Sequence, residues 1–426
     1  MRRAVMLLTL AVAAAGAQVP AQGDPAASPI VIRAGLLLDT ETGTAARSQT
    51  IVVENGKITQ VGGSVTVPPN ARTVDLSSAT VLPGLFDAHS HLCFEFVPGR
   101  DSNELQTTLA DPDSFRSIEG VQHARAMLEA GFTTVRDVGN SGNYACTSVR
   151  RAVDQGRVPG PTILDAGRMV APYGGQFRLQ PDRRDLAEPE YFFADTRDEM
   201  MKAVRENVHY GARVIKIAVD SQPYIYSTED IKFIIDEAAR AGVKVAAHVW
   251  TKQGAHNAAA AGVASLEHLN GITEEDLELA KRNGVTAVFT PMTEAMLRLF
   301  RADPENARQE FEQELRQLRL GYKVGIPIAF GSDAILQLPG KDRGQTTIEW
   351  VDSYSAAGLP PAAILKAMTG NAARLLGVDK ERGAIRTGQA ADLVAMPANP
   401  LDRIDALKQV SWVMKNGRIV KGQAAR

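Results

Sequence analysis

His89 and His91 stand one residue apart at the end of an apolar run, residues 81–86, within the stretch PGLFDAHSH. Side chains alternate along a strand, so both imidazoles project from one face. Two neutral imidazoles held side by side aim their lone pairs at one point, which suits a divalent cation. A lone H-x-H is a weak signal, and context must decide it. Other apolar runs supply that context. Lys216 sits late in one, His248 and His268 close two more, and Asp333 follows another in AFGSD. Imidazole and carboxylate ligands suit zinc first, with manganese or cobalt as alternatives. These positions take four of the seven histidines. His123, His209 and His256 fall on predicted helices and read as ordinary helix-face polar residues.

The elements carrying these groups form a regular alternation. Short apolar runs at 81–86, 132–138, 162–166, 213–217, 243–247, 263–267, 285–290 and 326–330 are separated by helical patterns such as 118–130, 228–241, 274–283 and 307–324. The spacing predicts an α/β fold, a (β/α)8 TIM barrel over residues 82–380. In such barrels the chemistry lies at the C-terminal strand ends, where all the candidate ligands fall. Residues 30–81 and 384–422 read instead as short β-branched strands with Asn-Gly turns, Asn55-Gly56 and Asn416-Gly417. They predict a small β-sandwich built from both termini.

A net charge of −2 with 23% charged residues offers no basic stripe for a nucleic acid. Arg2 and Arg3, an apolar run over 4–17 and small residues at 15–17 and 19–21 read as a signal peptide over 1–21, hence a secreted or periplasmic protein. That run is too short to span a bilayer, so no stable membrane insertion is expected after its removal. Cys93 and Cys146 cannot build a disulfide framework. They read as buried thiols, with a single bridge as the alternative.

With these residues in place the chain resembles the amidohydrolase superfamily, in the branch of imidazolonepropionase-like proteins and metal-dependent Xaa-Pro dipeptidases. PGLFDAHSH, AGFTTVRDVGN, GARVIKI, AAHVW, AGVASLEH, AFGSDA, MTGNAARLLGV and GAIRTGQAADLVAM carry the likeness. The resemblance implies a site of two divalent metal ions, zinc first. His89, His91 and Asp333 would hold one ion and His248 and His268 the other. Lys216, carboxylated by carbon dioxide on its neutral amine, would bridge them, since an ammonium has no lone pair to offer. An unmodified Lys216 in a salt bridge is the alternative and goes with one metal. A water shared by the metals would become the nucleophile, and Asp333 would serve as general base and then acid.

Two departures from the relatives stand out. Gln176 replaces the histidine of their Gly-Gly-His-Gly, and Trp250 replaces a histidine two residues after the fifth-strand ligand. Gln176, Arg178, Tyr224 and Tyr226 fall on predicted loops over the mouth and are the candidate substrate contacts, Arg178 for a carboxylate. Arg136 and Asp137 read as a structural pair. The function implied is hydrolysis of a small-molecule amide, either a dipeptide (Xaa-Pro included) or an N-acyl amino acid of the ochratoxin type. Cyclic amide opening is an alternative, as is a non-catalytic binding protein on the same barrel. Export and Lys216 argue against the first, and the whole ligand set against the second. A homo-oligomer is expected.

Overall fold

The computed structural model describes residues 28–139, 142–301 and 303–423. The signal peptide expected over 1–21 lies outside them, as does Asn140 of the AGFTTVRDVGN stretch. From the N-terminus, β1 (Ile30–Asp39) pairs antiparallel with β2 (Thr44–Glu54), and β2 with β3 (Lys57–Gly62). Asn55 and Gly56 make the β2–β3 turn with φ of 50° and 78°, as the Asn-Gly pair predicts. β4 (Arg72–Pro83) returns parallel to β1.

The middle of the chain supplies β5 (Leu85–Ser90), β6 (Phe132–Asp137), β7 (Thr162–Asp165), β8 (Met169–Ala171), β9 (Tyr191–Phe193), β10 (Val214–Ala218), β11 (Lys244–Val249), β12 (Ser265–His268) and β13 (Thr286–Val288). Their pairings are all parallel, in the orders β5-β6-β7 and β13-β12-β11-β10-β8-β9. β7 and β8 both lie along β10: Arg213 donates to the Asp165 carbonyl at 2.7 Å, and Val170 is in register with Ile217. Residues 326–330 join the two ends of the array. Ile328 bridges Ala287 of β13, and Ala88 of β5 donates to the Phe330 carbonyl at 2.8 Å.

Several of the helices between the strands begin at side-chain caps. Thr196 and Ser227 each form a reciprocal capping box, with Glu199 and Asp230. Gly262 ends the helix Lys252–Ala261 in the left-handed conformation, φ 76°, where a side chain would be strained. Valine, isoleucine and leucine side chains such as Ile215, Ile217, Val245 and Leu266 fill the interior. Near the C-terminus, β14 (Leu393–Met396), β15 (Trp412–Lys415) and β16 (Arg418–Lys421) join the N-terminal strands in one seven-stranded sheet, ordered β16-β15-β14-β4-β1-β2-β3. Both ends of the chain therefore build one sheet around a parallel α/β array.

The apolar run at 81–86 is two strands, not one. Pro83 still pairs with Leu393 at the end of β4, and β5 begins at Leu85. Gly84 divides them, and only glycine fits there, since a Cβ would lie 2.2 Å from the Thr133 hydroxyl oxygen. β8 and β9 have no counterpart in the sequence reading. Residues 326–330 bond to their neighbours through a bridge and single hydrogen bonds, not a full ladder, because Pro327 has no N–H to give. Among the described residues no helix is long and apolar enough to cross a membrane.

Candidate active site

The ligand candidates lie in the parallel strands or just past their ends. His89 lies on β5 and His91 just past it, Lys216 on β10, His248 on β11 and His268 at the tip of β12. Asp333 follows residues 326–330, and its backbone is left-handed, φ 54°. His268 is left-handed too, φ 68°. Such conformations cost about 1–3 kcal/mol each and gather where function needs a side chain aimed against local preference.

The four imidazoles form a continuous row. Ring centroids are 5.3 Å apart for His91–His89, 4.7 Å for His89–His268 and 4.6 Å for His268–His248. Three of the imidazoles are anchored through Nδ1. His89 Nδ1 donates to Glu267 Oε2 at 2.7 Å, and His91 Nδ1 donates to the Gly139 carbonyl at 2.7 Å. His268 Nδ1 shares a hydrogen bond with the Thr290 hydroxyl at 2.9 Å. This fixes the tautomers of the first two and leaves Nε2 free to face inward. Asp333 Oδ1 lies 3.6 Å from His89 Nε2 and 3.0 Å from His91 Nε2. The ligand atoms of His89, His91 and Asp333 fall within 4.8 Å of one another.

Lys216 is 2% exposed, and its Nζ has no hydrogen-bond partner among the described residues. Burial drives its amine down to about 8; Glu267 and Asp333 oppose the shift and Arg136 assists it. Lys216 in turn acts with burial to hold His248 down at about 3 and His89 well below the usual imidazole value. His91 is different. Burial lowers it, but the Asp333 carboxylate beside it prevails and raises it. The site thus gathers four imidazoles, a carboxylate and an unpartnered buried amine, whose protons a bound cation would displace. That donor set fits divalent cations.

Behind the ligands lies a buried polar frame that the sequence reading missed. Arg136 Nη2 donates to Glu267 Oε1 at 2.7 Å and Nη1 to the Ser265 hydroxyl at 2.9 Å. The expected Arg136–Asp137 pair is therefore corrected: neighbours on a strand point to opposite faces, and Asp137 instead accepts the Leu92 amide at 2.6 Å. Asp87 accepts the Ser332 hydroxyl at 2.6 Å, locking the Asp333 loop to β5. Burial pushes the Asp87 carboxyl up to about 7 against its hydrogen bonds from Ser332 and His89. A charged residue inside an apolar run was the available signal, since such groups are seldom buried unpaired.

The ligands open into a cavity of about 430 Å³. Gln176 lines it; the Tyr191 hydroxyl donates to its Oε1 at 2.7 Å, which turns Nε2 to within 3.4 Å of His248 Nε2. Trp250 also lines it, 51% exposed and stacked on His248 with the planes 5° apart. Asp220 accepts the Trp250 and Thr251 amides and holds that turn in place. The other three expected substrate contacts do not line the cavity. Arg178 is exposed elsewhere, Tyr224 is 59% exposed, and Tyr226 is buried with its hydroxyl donated to the Ala194 carbonyl at 2.6 Å. Cys93 and Cys146 are buried and free. His123 is buried, not on an open helix face, with Nδ1 donating to the Leu92 carbonyl at 2.8 Å.

Parallel strands that deliver imidazoles, a lysine and an aspartate to one mouth define an α/β protein with a candidate metal centre. Comparison with known proteins narrows this. Residues 80–420 match the amidohydrolase family, and the chain belongs to it. An ochratoxinase from Aspergillus niger is 30% identical over 436 residues, spanning 92% of this chain and 86% of that enzyme. A solved Xaa-Pro dipeptidase with methionine bound in its active site superposes with a TM-score of 0.82 at 27% identity, covering 93% of this chain and 100% of that one. An imidazolonepropionase from Kosmotoga olearia is 23% identical over 407 residues, 88% of this chain and 91% of that enzyme. The protein is accordingly a hydrolase acting on carbon–nitrogen bonds in small-molecule amides.

Proposed function

We propose that the protein cleaves the amide bond of dipeptides, Xaa-Pro included, or of N-acyl amino acids of the ochratoxin type. The convergence of His89, His91 and Asp333 ligand atoms within 4.8 Å, at the floor of a cavity that also holds Lys216, carries this reading. His89, His91 and Asp333 would hold one divalent ion, zinc first, and His248 and His268 a second, with carboxylated Lys216 between them. When bound, such ions acidify water and polarise a carbonyl. The chain's own groups do the rest. Asp333 accepts the proton of the attacking water and returns it to the leaving nitrogen, as general base and then acid. Glu267 and Gly139 keep both Nδ1 protons of the opening motif directed outward. The Gln176 amide group, oriented by Tyr191, offers a donor to the substrate beside His248.

The same reading takes the linked parallel strands as a closed (β/α)8 barrel and the terminal strands as a β-sandwich. It also takes the protein as exported and homo-oligomeric. The test is hydrolysis of a panel of dipeptides and N-acyl amino acids by the purified protein, alongside its metal content. Two equivalents of metal and turnover that a chelator abolishes are expected. Protein that retains no transition ion and cleaves no member of either series would overturn the proposal.

A further inference from the structure

The cavity is lined by charged groups that the hydrolytic chemistry does not use: Glu104, Arg301, Glu310 and Glu314. The one guanidinium among them is already occupied, with Arg301 Nε and Nη2 donating to the two Glu310 oxygens at 2.6 and 2.7 Å. Glu314 lies on the neighbouring helix Pro304–Val324. The Met292 amide donates to its carboxyl group. Its Oε2, however, is enclosed and has no hydrogen-bond partner among the described residues. An acceptor shut in without a donor is unfavourable. Burial holds the carboxyl well above its usual range, with Glu310 and Asp333 adding to the rise. What would relieve Glu314 is a cation that also donates hydrogen bonds.

The cavity wall supplies no such group, because Lys216 and Arg301 are its cationic side chains and neither reaches Glu314 by a hydrogen bond. Phe94, Leu297, Phe300 and Ile335 line the same space and offer an apolar bed. An ammonium with an apolar side chain on the adjacent carbon matches both features. We infer that Glu314 is a specificity-determining residue that receives the free α-ammonium of an aminoacyl group, so that the amide cleaved is that of a dipeptide with an apolar first residue. The inference rests on the amide-hydrolysis reading and chooses between its two substrate classes. An N-acyl substrate brings no cation to hold Glu314 ionised, so it forfeits the ion pair that a free ammonium would make there.

The test compares phenylalanyl-proline with N-acetyl-phenylalanyl-proline as substrates of the metal-loaded wild-type enzyme and of Glu314→Gln. The wild type is expected to favour the free amine by at least about tenfold in kcat/KM, and the variant to bring that ratio close to one, chiefly through KM. Glu314→Asp, which keeps the charge, should retain part of the preference. A ratio unchanged by Glu314→Gln, or a wild type that prefers the acetylated substrate, overturns the inference. Hydrolysis of neither compound speaks against the reaction itself, and calorimetry then decides the subsite alone. Tighter wild-type binding of phenylalaninamide than of N-acetylphenylalaninamide, lost in Glu314→Gln, supports it; equal binding overturns it.

Discussion

The carboxylate of Glu267 is shared between His89 and Arg136: Oε2 takes His89 Nδ1 at 2.7 Å and Oε1 takes Arg136 Nη2 at 2.7 Å. Glu267 and both partners are buried. One side chain thus fixes the tautomer of a ligand histidine and neutralises a guanidinium inside the sheet.

Glu267→Gln keeps the shape but weakens the grip on His89. Metal affinity should fall about 10- to 100-fold, the usual effect of losing such a partner. Glu267→Ala should instead cost about 3–5 kcal/mol of stability, because Arg136 is left buried and unpaired. Metal titration and denaturant unfolding separate the two effects. Equal metal affinity in wild type and Glu267→Gln would deny the orienting role.

Asp333 touches both imidazoles of the opening motif, 3.0 Å from His91 Nε2 and 3.6 Å from His89 Nε2. Asp333→Asn preserves size and one oxygen but removes the proton acceptor. Turnover should drop about 10²- to 10⁴-fold, while most of the bound metal remains. Near-normal kcat in a metal-loaded Asp333→Asn enzyme would assign the proton transfer elsewhere.

The groups gathered at the mouth were legible because each lies late in an apolar run or just past it, and parallel α/β arrays present such ends together. Glu267 was not. Alternation along β12 sets it opposite His268, yet both serve the site, because His268 leaves strand geometry with φ 68° and swings back toward the mouth. Arg136 was misassigned to Asp137 by adjacency, whereas its partner lies 131 positions away in the sequence. Tyr224, Tyr226 and Arg178 belong to loops, where no periodicity says which way a side chain turns. Glu310 and Glu314 lie on a long helix whose amphipathic pattern fits an exposed face; only packing brings them to the cavity.

Gly331 lies where β5 and residues 326–330 come closest. A Cβ there would fall 2.5 Å from Val288 Cγ1 and 2.8 Å from the His89 Cβ, too close for either neighbour to accept unmoved. Gly331→Ala should cost about 1–3 kcal/mol as overpacking and displace His89 from Asp333. Metal affinity and melting temperature should fall together. Unaltered metal binding in a folded Gly331→Ala protein would show that the contact yields freely.

Lys216 Nζ is buried without a hydrogen-bond partner among the described residues. Lys216→Met keeps the length and removes the orphaned donor. The chelated variant should be more stable than chelated wild type by about 1–3 kcal/mol, while its amidase activity is lost. The gain would mark a group retained for function at the expense of stability. A chelated variant less stable than wild type would mean that the amine finds a partner in solution.

Lys415 joins the terminal sheet to β7. Its Nζ donates to Asp392 Oδ2 at 2.8 Å and to the Thr162 hydroxyl at 2.8 Å, with Arg382 on the same two groups. Burial drives the Lys415 amine down to about 8; Asp392 opposes the shift and Arg382 assists it. The folded protein therefore releases this proton near pH 8, while the unfolded chain keeps it to about 10.5. Between those values the unfolded state binds more protons, so raising the pH favours folding. Relative to Lys415→Met, wild-type stability should climb from pH 8 to 10.5 by at most roughly 3 kcal/mol and stay level below pH 8. Unfolding of both proteins in urea across that range measures the difference. A difference that shrinks with rising pH would mean that the Asp392 ion pair outweighs burial at this position.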